Sequence, residues 1–230
     1  ISFNQINNKG RFLGLRKINL DVAHNDSSLF HDRLAASIFR DLELPAPCVN
    51  HAKLYINGEF FGLYVNIEHV DQEFLQRNFG HHDEGNLYKS RPHHIFDKQT
   101  NESDPDRSDI ERFQEELTLE ELDALIDLDQ AVQEWAAEAI IPHLDGYFVG
   151  GTNYQVYNHP ERGFIFIPWD LDFGPAEGDL ISYTVSWGQG KPYHMPTLLE
   201  NERWFGIYLE AVEKALAAFD PEMLTQRIDT

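Results

Sequence analysis

The sequence predicts an α+β protein of two lobes, a small sheet-rich first half and a helix-rich second half. Three observations carry this. Runs of β-branched and aromatic residues bounded by turn residues crowd the first ninety positions, most clearly where Asn57-Gly58 separates AKLYI from EFFGLYVNIE. Residues 90–108 then turn polar, with Arg91-Pro92-His93-His94 and Asp104-Pro105-Asp106. From Asp109 onward the apolar residues recur mainly at helical spacing. The expected layout is one domain: a sheet-rich lobe over 1–89, a polar loop over 90–108 and a helical lobe over 109–230.

Taken in order, Phe3–Val22 reads as strands, FNQIN and RFLGLRKINLDV, about a turn at Asn7–Gly10. Gly10 and Gly14 do not form the GxGxxG pattern of a phosphate-cradling loop. Asn25–Ser28 supplies N-cap residues for a helix to about Leu42, with Leu29, Phe30, Leu34, Ile38 and Leu42 as its apolar stripe and Pro45 as its stop. Asn57-Gly58 best fits a two-residue type I′ hairpin turn, and Glu68, closing the second strand, reads as a solvated strand end. Asp71–Phe79 predicts a short helix closed by Gly80, and Asn86–Ser90 a strand carrying Lys89. Ten acidic residues against Arg107 and Arg112 lie between Asn101 and Ala124, a solvated helical face without EF-hand spacing. Asp129–Ile141 predicts a helix burying Ala131, Val132, Trp135, Ala136, Ala139 and Ile140. A Gly-rich loop and a Pro-punctuated segment follow Gly174, and a terminal helix spans roughly 203–219.

Composition narrows the function. At 230 residues with 42% hydrophobic and 13% aromatic content, the chain can bury a sizeable core. No run is long enough to cross a membrane as a helix, and no signal peptide is visible. The single cysteine, Cys48, excludes an internal disulfide, and its apolar neighbours predict a buried thiol. A formal charge of −21 argues against nucleic-acid or anionic-membrane binding and suits a basic protein partner. The pairs His81/His82 and His93/His94 sit in polar surroundings and read as solvated side chains.

The chemistry concentrates in HLDGYFVGGTNYQVYNHPERGFIFIPWDLDFG, His143–Gly174. Tyr154–Tyr157 and Phe164–Ile167 predict two strands joined through Asn158–Gly163. A hairpin sets the start of its first strand beside the end of its second, so Asn153 should lie near Asp170. Asp145 should reach the same place over a flexible Gly-rich link. Three or four oxygen donors, from Asp145, Asn153, Asp170 and Asp172, would then converge at one sheet end, a set that suits a hard cation such as Mg²⁺.

NGEFFGLYVNIEHVDQEFLQRNF, NLYK, LDGY followed by TNYQVY, and FIFIPWDLDFG together resemble the CotH kinase family, named for spore-coat proteins. SSLFHDRLAASIFRDLELPAP adds to the likeness, which runs from about Arg16 to Gly174. The resemblance implies an atypical, trimmed protein-kinase-like fold that transfers phosphate from ATP to serine or threonine of a protein substrate with Mg²⁺ or Mn²⁺. It implies Asp145 as the catalytic aspartate, with His143-Leu144-Asp145 echoing the HRD of ordinary kinases. Asn153 and Asp170 become metal ligands, with Asp172 as rival or secondary ligand. Lys17 is the first choice to hold the phosphates, with Arg16 and Lys89 behind it. The expected partner is a protein with a Ser-rich, basic segment. The alternative is a catalytically silent adhesion module that keeps the fold, to which a secreted or cell-surface place within a larger protein would be suited.

Overall fold

The computed structural model describes residues 1–7, 9–92, 95–141, 143–147, 150–172 and 194–229. His93, His94, the Phe173-Gly174 end of the acidic motif and the Gly-rich loop expected after it lie outside the described residues.

Two antiparallel sheets and eight helices make up the described fold. The first sheet has the order β1-β3-β2, with β1 at Asn19–Asp21, β2 at Val49–Ile56 and β3 at Glu59–Ile67. Its hairpin turns at Asn57 (φ 53°) and Gly58 (φ 87°), the paired left-handed conformations of a type I′ turn. The second sheet has the order β5-β4-β6-β7, with β4 at Leu87–Arg91, β5 at Ile95–Lys98, β6 at Tyr154–His159 and β7 at Gly163–Pro168. It therefore joins strands from before and after residues 90–108. That segment, expected to be loop throughout, contains β5, which pairs with β4 from Tyr88↔Lys98 to Arg91↔Ile95.

The second sheet is buried on both sides, which is why β7 reads as the unbroken run FIFIP. Tyr154, Val156, Phe164 and Phe166 face a core built on Trp135, Phe113 and Tyr208. Tyr157 and Ile167 face a smaller core under α2 (Gln72–Phe79), with Phe74 and Leu75. Asp71 caps α2 by accepting from Glu73 N, and Gly80 ends it at φ 63°. On the first core lie α3 (Ser108–Phe113), α4 (Leu119–Leu125), α5 (Leu128–Ile140), α6 (Met195–Leu199) and α7 (Glu202–Ala218). A third core packs α1 (His31–Asp41) on β2 and β3 through Ile38, Phe39, Val49 and Val65, and reaches α8 (Pro221–Ile228) at Leu224.

Three local expectations need correction. Apart from β1, the Phe3–Val22 stretch forms only isolated bridges, Ser2↔Lys17 and Phe12↔Leu15. Among its described residues the partial alternation finds only these short pairings, and Phe12 and Leu13 are exposed. Helix α1 starts at His31 after an uncapped Phe30, because Asp26 spends its carboxylate on the amides of Ser28 and His31, folding residues 26–31 into a turn. Cys48 is exposed: the chain enters β2 there, and inward-facing Val49 leaves its predecessor pointing out. Glu68 is the salt-bridged partner of Arg77 at 2.6 Å and also accepts from Cys48 N, a structural strand end.

Candidate active site

Hairpin β6–β7 sets the frame. Tyr154 pairs with Pro168, and Trp169 N donates to Asn153 O at 3.1 Å, so Asn153 and Asp170 flank the open end of the hairpin as its geometry requires. Both have left-handed backbones, φ 47° at Asn153 and φ 60° at Asp170. Left-handed aspartate costs on the order of 1 kcal/mol, which surrounding contacts must offset. Such strain is concentrated where a side chain must be aimed.

Asp145 comes to the same place on a tight loop. The expected flexible glycine link is instead a knot: the amides of Gly150 and Gly151 both donate to Gly146 O, and Thr152 Oγ1 donates to Asp145 O at 2.6 Å. A Cβ at Gly150 would sit 2.5 Å from Asp145 Cα, so that close passage requires glycine. The Asn153 side chain hydrogen-bonds the Asp145 carboxylate. His143, almost wholly buried, places Nε2 3.5 Å from Asp145 Oδ1 and 3.1 Å from Asp170 O.

The electrostatics follow from this crowding. Burial raises the Asp145 carboxyl above the usual range, with Asp172 adding to it, while His143 and Asn153 pull the other way. Burial also raises Asp170, helped by Asp172, Asp145 and Asp21. Asp32, at the start of α1, is pushed up to about 7 by burial and by Asp172, Asp170 and Asp21, although it accepts from Leu171 N at 2.9 Å. Asn25 N approaches Asp172 Oδ2 at 3.4 Å. The structure thus gathers Asp145, Asn153, Asp170 and Asp172, and adds Asp21 and Asp32 to them.

Three cations were expected to hold the phosphates, and their surroundings differ. Lys89, on β4, puts Nζ 4.3 Å from the Trp169 ring centre, and Asp170 partly counters the lowering of its pKa by burial. Lys17 Nζ lies 3.2 Å from His69 Nε2. Burial lowers the His69 pKa, and the charges of both Lys17 and Lys89 lower it further. Lys17, His69, Asn50 and Asn66 line a cavity of about 220 Å³. Arg16 lines it too but is turned to Glu73, 2.7 Å away. Lys89 is therefore the cation that feels the acidic group, Lys17 lies against His69, and Arg16 belongs to an ion pair.

The site fits a divalent cation in charge and donor type. Asp145 Oδ1 is buried without a hydrogen-bond partner, and raised, desolvated carboxylates are those a cation would return to their ionised form. Among the described residues no three His, Cys, Asp or Glu side chains are already drawn together to metal-holding distance. Asn153 and its amide oxygen would complete the hard-oxygen set.

Sequence reasoning missed Asp32, His69 and Glu138. Asp32 looks like an ordinary first-turn helix acid, and His69 like a residue leaving a strand. Glu138 carried a readable signal: with Glu134 it forms an i, i+4 acidic pair in the otherwise apolar stretch of α5, and both are fully buried.

Over 190 residues the chain is 25% identical to the inner spore coat protein H of Bacillus subtilis (strain 168), covering 70% of this chain and 50% of that protein. It is 37% identical over 68 residues to an inner spore coat protein H-like protein of the same organism, 30% of this chain and 22% of that one. The chain thus spans half the length of the first relative, and its match to the second is shorter still. A family profile described as CotH kinase protein matches residues 2–230, and the chain belongs to the CotH family.

Proposed function

We propose that this chain is an ATP- and divalent-metal-dependent protein kinase that phosphorylates serine or threonine in a protein substrate. The observation that carries the reading is the convergence of Asp145, Asn153, Asp170 and Asp172 at one hairpin end with Lys89 beside them. Phosphoryl transfer asks a protein mainly for positioning and charge neutralisation, and this donor set supplies both. When bound, ATP and its metal ion provide the transferable γ-phosphoryl group and neutralise its charge. Asp170 and Asn153 would hold the cation, with Asp172 as the second carboxylate. Lys89 and Lys17 hold the phosphates. Asp145 orients the attacking hydroxyl and takes its proton as the new oxygen–phosphorus bond forms and the bond from the γ-phosphorus to the bridging oxygen breaks, releasing ADP, a role favoured by its raised pKa. The charge of −21 favours an acceptor segment that is basic as well as Ser-rich.

The test is incubation with labelled ATP and Mn²⁺ on a basic, Ser-rich acceptor, beside thermal melts with nucleotide. The parent protein should transfer label, and ATP at a hundredfold over its Kd should stabilise it by about 2.7 kcal/mol. Asp145→Ala should abolish transfer and keep that shift; near-normal transfer would remove Asp145 from the mechanism. Asp170→Ala should weaken metal-dependent nucleotide binding by calorimetry, and an unchanged affinity would move the role to Asp172. A parent protein that neither transfers label nor responds to ATP overturns the reading.

A further inference from the structure

Glu138 lies in the last turns of α5 and is fully buried, with no surface open to substrate. Its Oε1 lies 3.2 Å from His143 Nδ1 and 3.2 Å from Tyr147 N. One carboxylate oxygen therefore accepts from both ends of the pentapeptide His143–Tyr147, whose middle residue is Asp145. The other ring nitrogen of His143 reaches Asp170 O at 3.1 Å. The ring thus contacts Glu138 with one nitrogen and the Asp170 carbonyl with the other, and bridges the Asp145 loop to the Asp170 segment.

Two further observations show that this contact is built. A Cβ at Gly146 would stand 2.2 Å from His143 Nδ1 and 2.6 Å from Glu138 Oε1, so the loop lies directly on the carboxylate and only glycine permits it. Glu134, one turn earlier and also fully buried, faces Glu138; burial and the charge of Glu138 push its carboxyl well up. That rise favours the neutral form of Glu134 beside Glu138. A fully buried side-chain carboxyl costs stability unless hydrogen bonds satisfy it, and simple termination of a helix does not require one there.

We propose that Glu138 is a positioning residue for the reaction: its carboxylate clamps the His143–Tyr147 loop, and through His143 it fixes Asp145 relative to Asp170. The inference rests on the kinase reading only for the roles of Asp145 and Asp170; the clamp itself is a statement about the loop. Misplacing a reacting group by an ångström costs about 100-fold in rate.

Glu138→Ala should therefore lower kcat about 100-fold with little change in KM for ATP, because the residue touches neither nucleotide nor metal. Glu138→Gln keeps an acceptor oxygen and should return most of the lost rate. Hydrogen exchange at the amides of residues 143–147 should quicken in Glu138→Ala, with Mn²⁺ affinity measured alongside as a check on the Asp170 side. Gly146→Ala, which presses on the same contact while keeping the carboxylate, should reproduce the kcat loss and serves if the alanine variant does not fold. Parent-like kcat in both variants, or unchanged exchange at residues 143–147, overturns the proposal. If the parent protein transfers no phosphate, the functional reading falls, and the exchange measurement still decides the clamp.

Discussion

His194 shows what a single buried ring does to the acid stability of this chain. Its side chain is 6% exposed, and Nε2 lies 2.6 Å from the carbonyl oxygen of Phe113, on which its ring also packs edge-on. Burial depresses its pKa to about 4, against a smaller opposing effect of the Phe113 carbonyl. A depressed histidine is neutral in the folded state and takes up a proton more readily when unfolded. The stability it supports is complete above about 6.5, the unfolded value, and drains away as pH falls toward 4, by on the order of 3 kcal/mol. Denaturant melts at pH 7 and pH 4.5 should show that loss in the parent, and His194→Gln should lose distinctly less between the same two pH values; equal losses would show that the ring does not control the acid limb. Asn153 and Asp170 were legible in the sequence because a hairpin fixes which of its ends meet, whereas Asp145 was expected there over a flexible link that is in fact a tight loop. Asp32, Glu138 and Cys48 were not, since burial of one side chain depends on which distant element covers it. Asp32 enters the site from a helix more than a hundred positions before the Leu171 amide that it holds.

At the level of elements, turn chemistry decided what could be read. The β2–β3 hairpin was visible because Asn57 and Gly58 accept positive φ at little cost, and α2 because an aspartate begins it and a glycine ends it. The N-terminal strands were over-read, since alternation without a neighbouring strand has no ladder to join. Strand β5 was under-read because it is a short edge strand whose last residues, Asp97 and Lys98, look like loop; charges of that kind are what keep an edge from pairing with other chains. The β6–β7 turn makes a sharp prediction. Gly163 has φ 76°, and a Cβ there would lie 2.3 Å from Leu125 O, just before Asp127 N bonds to Phe164 O. Gly163→Ala should destabilise the protein by about 1–3 kcal/mol through strain and collision together. Chemical denaturation checks this, and a change below half a kilocalorie would mean that the α4–α5 junction yields easily.

Across the whole molecule, the acidic balance sets a background against which every local contact works. With 39 acidic and 18 basic residues, the folded chain concentrates like charge, most sharply where Asp21, Asp32, Asp145, Asp170 and Asp172 influence one another. Raising ionic strength from about 0.01 M to about 0.15 M shortens the screening length from about 30 Å to about 8 Å. The melting temperature should rise over that range, and millimolar Mg²⁺ should raise it beyond an equal ionic strength of NaCl. Identical shifts with both salts would show that the acidic group has no preference for a divalent ion. The α+β class was legible from composition and periodicity; the pairing of β4 with β6, which stitches the stretch before Asp109 to the stretch after it, was hidden because no local signal records a partner so distant in sequence.

That pairing has a mechanical consequence. Lys89 sits opposite Gln155, and Gln155 opposite Ile167, so Lys89 and the Asp170 that follows β7 are mounted on one hydrogen-bonded slab whose spacing cannot change without breaking its ladders. Lys17 instead precedes β1 and His69 follows β3, both strands of the other sheet. Any movement of one sheet against the other would alter the reach of Lys17 while the span from Lys89 to Asp170 stayed constant, as the fixed and sliding jaws of a calliper do.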